Sequence, residues 1–291
     1  MGIASHAGAD GRALIPTLFL HPLSALTWQD WSIHWSTVIG LGALGALYVY
    51  AWRYERPNLA EKASFFSGLM IIFLALNGPI HDLSDFYLFS AHMVQHLLLT
   101  LAVPPVLIAG VRGGMLRPLL ALRGVGPFAR WLTRPITCYV LFNVVLALWH
   151  MPVFYNTAMA NHNVHIAQHL TMMITATLMW WPLMSPLPEL PRLSYPGQML
   201  YCFLMVIPMS VVAIYIALAD TVLYPAYAAA PRIWGISPIL DQHIGGLIMW
   251  IPGGLFFYAI MSVVFFKWVK RGEDSIAAAQ VGWAPEVGKS E

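Results

Sequence analysis

Seven stretches of this chain, about 33–52, 64–80, 87–109, 135–156, 163–183, 198–219 and 239–268, are long and apolar enough to reach across a bilayer. A hydrocarbon core is crossed by roughly 20 largely apolar residues wound as a helix. A backbone inside lipid must satisfy its own hydrogen bonds, so such stretches fold as helices. Prolines interrupt several of them (Pro79, Pro104, Pro105, Pro208 and Pro252), which membrane helices tolerate when neighbours bond the freed carbonyls. The expected fold is all-α, a polytopic membrane protein of seven transmembrane helices. Composition agrees: only 10% of the 291 residues are charged, too few to cover a water-facing surface of this size.

The basic residues set an orientation. Arg53, Arg56 and Lys62 fall in the first connection, and Arg112, Arg117, Arg123, Arg130 and Arg134 in the third. Arg192 is in the fifth, and Lys267, Lys270, Arg271 and Lys289 follow the last stretch. Only Arg12 and Arg232 are left for the opposite side. The amino terminus is therefore expected outside and the carboxyl terminus inside, with an outer leader over 1–32, a membrane domain over 33–270 and a cytoplasmic tail over 271–291. The leader has one arginine ahead of a short apolar run broken by Pro16 and Pro22, a poor signal peptide. A net charge of +2 and the absence of a basic cluster on the outer side give no sign of a nucleic-acid partner.

With this topology all eleven histidines fall on the outer side. His92 and His96 open the third stretch, His165 and His169 the fifth and His243 the seventh, while His81 and His150 close the second and fourth. Asp82, Asp85, Asp220 and Asp241 share that side, as do Met93, Met151, Met159, Met172 and Met173. Residues four apart lie on one helix face. The pairs in "AHMVQHLL" and "NVHIAQHL" can each aim two imidazoles at one point. Imidazole suits zinc and copper, and thioether sulfur favours copper(I). Ionisable groups within membrane helices are costly and mark functional sites by default. The candidate metal ligands on this spacing are thus His92, His96, His165 and His169. Cys138 and Cys202, near inner helix ends, are expected to take no part.

A repeat underlies these positions. Gln95-His96, Gln168-His169 and Gln242-His243 each begin a stretch entering from outside, each after a stretch that ends near a proline. The unit reads as an ascending helix, an outer loop and a descending helix. Three such hairpins would bring His96, His169 and His243 to similar depth.

The segments "HMVQHLLLTLAVPPVLIAG", "ALWHMPVFYNTAM", "HIAQHLTMMITATLMWWPLMSPLP" and "DQHIGGLIMWIPGG" resemble the multi-spanning CtaG family of bacterial cytochrome c oxidase assembly factors. The likeness covers about residues 30–270. It implies a seven-helix protein of the bacterial plasma membrane that helps to make active haem–copper oxidase through copper handling at the outer face. The motif positions are His92, His96, His150, His165, His169 and His243, with His81 the less close match. The function expected on this basis is that of a copper-binding assembly factor, a metallochaperone without catalytic turnover, with an oxidase subunit as partner. The alternative is a haem-binding or quinol-linked membrane oxidoreductase, since haem iron also takes axial histidine. A copper transporter ranks below both, because the inner halves offer few polar groups beyond Asn143 and the two cysteines.

Overall fold

The structure is a computed structural model that describes residues 32–282, with side chains to residue 274. The expected leader, with His6 and His21, lies outside the described residues apart from Ser32, as does the tail from residue 283. Among the described residues the regular structure is entirely helical. Helices α1 (Trp35–Ala51) and α2 (Leu59–Ala75) come first, then a short α3 (Pro79–Phe86). Helix α4 (Phe89–Leu97) runs through a π-helical segment, Leu98–Ala102, into α5 (Val103–Ala109). Two short helices, α6 (Gly113–Leu120) and α7 (Val125–Leu132), lead to α8 (Pro135–His150) and α9 (Pro152–Ala160). Helices α10 (His162–Met184), α11 (Tyr195–Ala217), α12 (Pro225–Ala229) and the 45-residue α13 (Pro238–Gly282) complete the order.

Among the described residues three helices are long and apolar enough to cross a membrane: Phe89–Ala109, Tyr195–Ala217 and Pro238–Asp274. The number rises to five if α2 with α3, and α7 with α8, each form one bent span. The remaining expected stretches differ for physical reasons. Helix α1 has 17 residues, a little short of a full crossing. Helix α10 has 23, but its imidazoles, Gln168 and threonines dilute its apolar character. Those threonines bond back along the helix, Thr171 to the Ala167 carbonyl and Thr175 to that of Thr171, so the hydroxyls need no other partner.

Two departures from the expected stretches matter for the site. Helix α2 starts five residues early because Asn58 and Glu61 form a capping box: the Asn58 side chain accepts from the Glu61 N–H at 2.9 Å and Glu61 from the Asn58 N–H at 2.7 Å. The same chain then breaks before Pro79. Gly78 has φ 68° and ψ −155°, a conformation open essentially to glycine alone, and α3 leaves at 47° to α2. Asn77 secures the corner by accepting from the His34 N–H at 2.7 Å and donating to the Phe73 carbonyl at 2.9 Å. The bend turns "PIHDLSDF" inward, with His81, Ser84 and Asp85 all buried.

The π-helical segment has an equally local cause. Proline at 104 has no N–H to offer the Thr100 carbonyl. The Trp180 indole N–H of α10 takes up that carbonyl at 3.0 Å. The Thr100 hydroxyl bonds the His96 carbonyl at 2.7 Å, so the turn below His96 is pinned from both sides. The largest apolar core joins α4, α8, α10, α11 and α13 around Phe89, Phe142, Trp180, Met205 and Phe257. Helices α11 and α13 pack most extensively, and α13 also lies against α4. Gly246 permits this: a Cβ there would stand 2.7 Å from the Ala217 backbone nitrogen.

Candidate metal centre

Four helices deliver six imidazoles and one carboxylate to a single buried place. Bent α3 brings His81 and Asp85, α4 brings His92 and His96, α8 ends in His150, and α10 brings His165 and His169. Their exposures run from 0% for His92 to 7% for His81 and Asp85. On α4 the two rings have centroids 4.2 Å apart, and on α10 4.6 Å. Between helices, His96 lies 5.6 Å from His169 and 5.7 Å from His150, and His92 lies 6.0 Å from His169. His81 reaches the group through His165 at 6.3 Å, and His34, absent from the expected ligands, meets the His81 ring edge-on at 4.5 Å.

Asp85 is grouped with the histidines by the sequence but is not among the expected ligands. Its carboxylate stands 3.4 Å from His81 Nε2, 3.3 Å from His165 Nε2 and 3.7 Å from His92 Nδ1. A buried carboxylate is costly unless it is paired, and here the pairing groups are imidazoles from three helices. The signal was present in "HDLSD", where His81 and Asp85 are four apart and share a face, but it becomes visible only once the break at Gly78 folds that face inward.

The hydrogen-bond pattern fixes two tautomers. Gln95 donates to the Ala75 carbonyl at 2.6 Å, which identifies the atom there as its amide nitrogen. The same nitrogen is 3.2 Å from His81 Nδ1, which therefore accepts and leaves the His81 Nε2–H facing Asp85. His150 Nδ1 lies 2.7 Å from the Leu146 carbonyl, which can only accept, so Nδ1 carries the proton and Nε2 keeps its lone pair. A histidine that ligates through one nitrogen while the other donates to a carbonyl has this form. Around the group, Tyr227 donates to the Ser84 carbonyl at 2.7 Å, Tyr155 and Tyr227 hydroxyls meet at 2.8 Å, and Tyr224 donates to the His150 carbonyl at 2.8 Å.

Other nitrogens lack partners. Both ring nitrogens of His92 and of His96, the Nδ1 atoms of His165 and His169, and both amide atoms of Gln168 are buried with no hydrogen bond. Each such group costs about 1–3 kcal/mol against its hydrated state. The donor set fits a copper or zinc ion in kind, neutral imidazole with one carboxylate. The arrangement is not a finished coordination sphere. Among the described residues no group of three or more His, Cys, Asp or Glu side chains is disposed as a metal site. His165 and His169 are hydrogen-bonded to each other, Nε2 to Nε2 at 2.8 Å, closer than the roughly 3.3 Å that two nitrogens keep on one tetrahedral ion.

His243 stands apart from the six. It is partly exposed and its Nε2 lies 3.0 Å from the Ala219 carbonyl. The third copy of the repeat serves the scaffold instead. The Asp241 carboxylate accepts from the Phe89 N–H at 2.7 Å and the Ser90 N–H at 3.1 Å, capping the helix that carries His92 and His96. Gln242 bonds the Leu223 N–H and the Thr221 carbonyl. The cysteines lie elsewhere in the buried core, Cys138 bonding the Leu132 carbonyl. Asp241→Ala is expected to lower stability by about 0.5–2 kcal/mol through loss of the cap. Thermal unfolding in detergent checks this.

Fold and site together define a helical membrane protein with a polar, histidine-rich centre buried beneath one end of its bundle. Residues 45–271 match the family model described as cytochrome c oxidase caa3 assembly factor (Caa3_CtaG), and the chain belongs to that family. Over 202 residues it is 27% identical to the uncharacterized protein Mb0105 of Mycobacterium bovis and equally to the uncharacterized protein MT0111 of Mycobacterium tuberculosis. It is 24% identical over 204 residues to the uncharacterized protein ML1998 of Mycobacterium leprae. Each match takes in 63% of this chain and 30% of the relative, so the chain corresponds to under a third of those longer proteins. No solved structure matches it.

Proposed function

We propose that this protein is an assembly factor of the bacterial plasma membrane that holds copper among Asp85, His92, His96, His165 and His169, with His81 orienting the carboxylate, and delivers it to a haem–copper oxidase subunit. Copper here is cargo, and the protein performs no catalytic turnover. Membership of the caa3 oxidase assembly factor family supports the process. The observation that carries the copper reading is the set of buried, partnerless imidazole nitrogens gathered around one carboxylate. A cation would take up those lone pairs and offset their desolvation. His165 and His169 would hold such an ion once the hydrogen bond between them gives way.

The haem alternative finds less support. The space beside His96 and His150 is about 20 Å³. That suits an ion or a single water, whereas an organic ligand or cofactor occupies hundreds of Å³.

In this proposal the chain spans the membrane seven times with its amino-terminal end outside. The basic residues carry that part, since α6, α7 and the turns beside them hold five arginines while Arg232 stands alone among described basic residues in the opposite connections. Reporters inserted after Arg123 and after Trp234 are expected on opposite sides, the first cytoplasmic. Finding both on one side would overturn the topology. For the function, cells lacking the chain are complemented with wild type or His169→Ala, and the oxidase is purified. Restored oxidase copper with wild type, and none with an equally abundant variant, is the expected result. Full oxidase metallation by the variant would remove His169 from the proposal.

A further inference from the structure

Beside two of the imidazoles lies a small space of different chemistry. His96, His150, Met93, Met172, Met209 and Met249 are among the residues that line a cavity of about 20 Å³ built by five helices (α4, α8, α10, α11 and α13). All four methionines are at least 97% buried. Both His96 ring nitrogens lack partners, and His150 keeps its Nε2 lone pair because Nδ1 donates to the Leu146 carbonyl. We propose that this chamber is a binding site for a soft monovalent cation, copper(I), ligated by His96, by His150 Nε2 and by thioether sulfurs from among Met93, Met172, Met209 and Met249. The inference deepens the copper reading and rests on it, adding a place and an oxidation state for the cargo.

Donor chemistry separates this cavity from the cluster around Asp85. Around Asp85 the donors are a carboxylate and imidazoles, which suit a divalent ion, whereas thioethers select copper(I). His96 stands between them, with its ring 4.2 Å from that of His92 and 5.7 Å from that of His150. Met209 and Met249 belong to long spans, and Met249 is eleven residues beyond the start of α13 at Pro238. At a rise of 1.5 Å per residue this puts the Met249 thioether roughly 16 Å along that helix, deep in the bundle where a singly charged ion with neutral ligands is less costly than a doubly charged one.

Methionine also fills irregular gaps in cores, so four of them around a cavity need a further sign of purpose. Glycine supplies one. At Gly253 in α13 a Cβ would stand 2.9 Å from the Met209 methyl carbon and 3.2 Å from its sulfur, so the glycine keeps open the place that this thioether occupies. A water molecule is the competing occupant. It wants two to four polar partners, and the walls offer few besides the two imidazoles.

The test uses the full chain, purified in detergent under anaerobic conditions. Silver(I), a redox-inert soft ion, and copper(I), competed against a chromophoric chelator, are titrated beside zinc(II), which serves as the borderline probe for the Asp85 cluster. Met209→Leu with Met249→Leu, a near-isosteric pair of changes, is expected to lower silver(I) and copper(I) affinity at least about tenfold and to leave zinc(II) binding unchanged. X-ray absorption of the copper(I)-loaded wild type is expected to show sulfur and nitrogen neighbours, with the sulfur contribution lost in the double variant. Unchanged silver(I) affinity in the variant, or a copper(I) spectrum without sulfur, would assign the methionines to packing and the cavity to water. The two readings fail differently: loss of the soft-ion result with zinc(II) retained sinks the methionine site alone, and absence of binding by any of the three ions sinks the copper reading with it.

Discussion

Asp85→Asn is expected to abolish retention of a divalent ion at the Asp85 cluster while the protein continues to accumulate in the membrane. The change keeps the shape of the side chain and removes its charge. Asp85 is 7% exposed and faces imidazoles of His81, His92 and His165, so it is the group best placed to neutralise a cation there. Without it an incoming ion meets a buried site of neutral ligands, and the desolvation of the metal is no longer compensated. The asparagine oxygen still accepts from His81 Nε2–H, and the scaffold around it is held independently by Gln95, Tyr227 and Asp241. Divalent-ion binding at the cluster should therefore be lost at unchanged abundance, with oxidase activity lowered, while copper(I) binding among His96, His150 and the methionines persists. A purified Asp85→Asn protein with wild-type copper content would show that the carboxylate is structural.

The second large effect concerns His96 and has an unusual sign. Both of its nitrogens are buried without partners. Replacing it with leucine keeps most of the volume and removes an unsatisfied polar group, so the metal-free protein should gain about 1 kcal/mol in stability. The same change deletes a ligand and should eliminate bound copper. Stability purchased by loss of function is the pattern of a site kept under strain for its chemistry. His150→Leu is the control, because it breaks the bond to the Leu146 carbonyl and should cost stability. Thermal unfolding of the metal-free proteins separates the two, and a destabilised, copper-replete His96→Leu protein would count against the ligand assignment.

Much of this was legible in the sequence. The helical class follows from apolar stretches with few charges, and the two i,i+4 histidine pairs could be assigned to helix faces before any coordinates. What was not legible depends on breaks in the helices. The turn at Gly78 decides that His81 and Asp85 face the pairs, and local sequence periodicity carries no information about a 47° bend. The repeat misled at its third copy. "DQH" resembles the other two, yet Asp241 is directed to the amino end of α4 and His243 to the Ala219 carbonyl. Spacing predicts which residues share a face, but not which neighbouring helix that face meets. The methionine chamber was half visible: Met93 and Met172 sit near the outer histidines in sequence, whereas Met209 and Met249 come from the middle of spans that only tertiary packing brings together.

The central claim is that the imidazoles around Asp85 and His96 hold copper, and metal analysis of the purified protein tests it most directly. Protein isolated from copper-replete membranes, washed with a weak chelator, is expected to carry at least one copper per chain, with His96→Leu prepared alongside carrying none and Asp85→Asn less than wild type. Wild-type protein that supports full oxidase assembly in the same cells but is copper-free on isolation, and that takes up none when copper is supplied, would contradict the account.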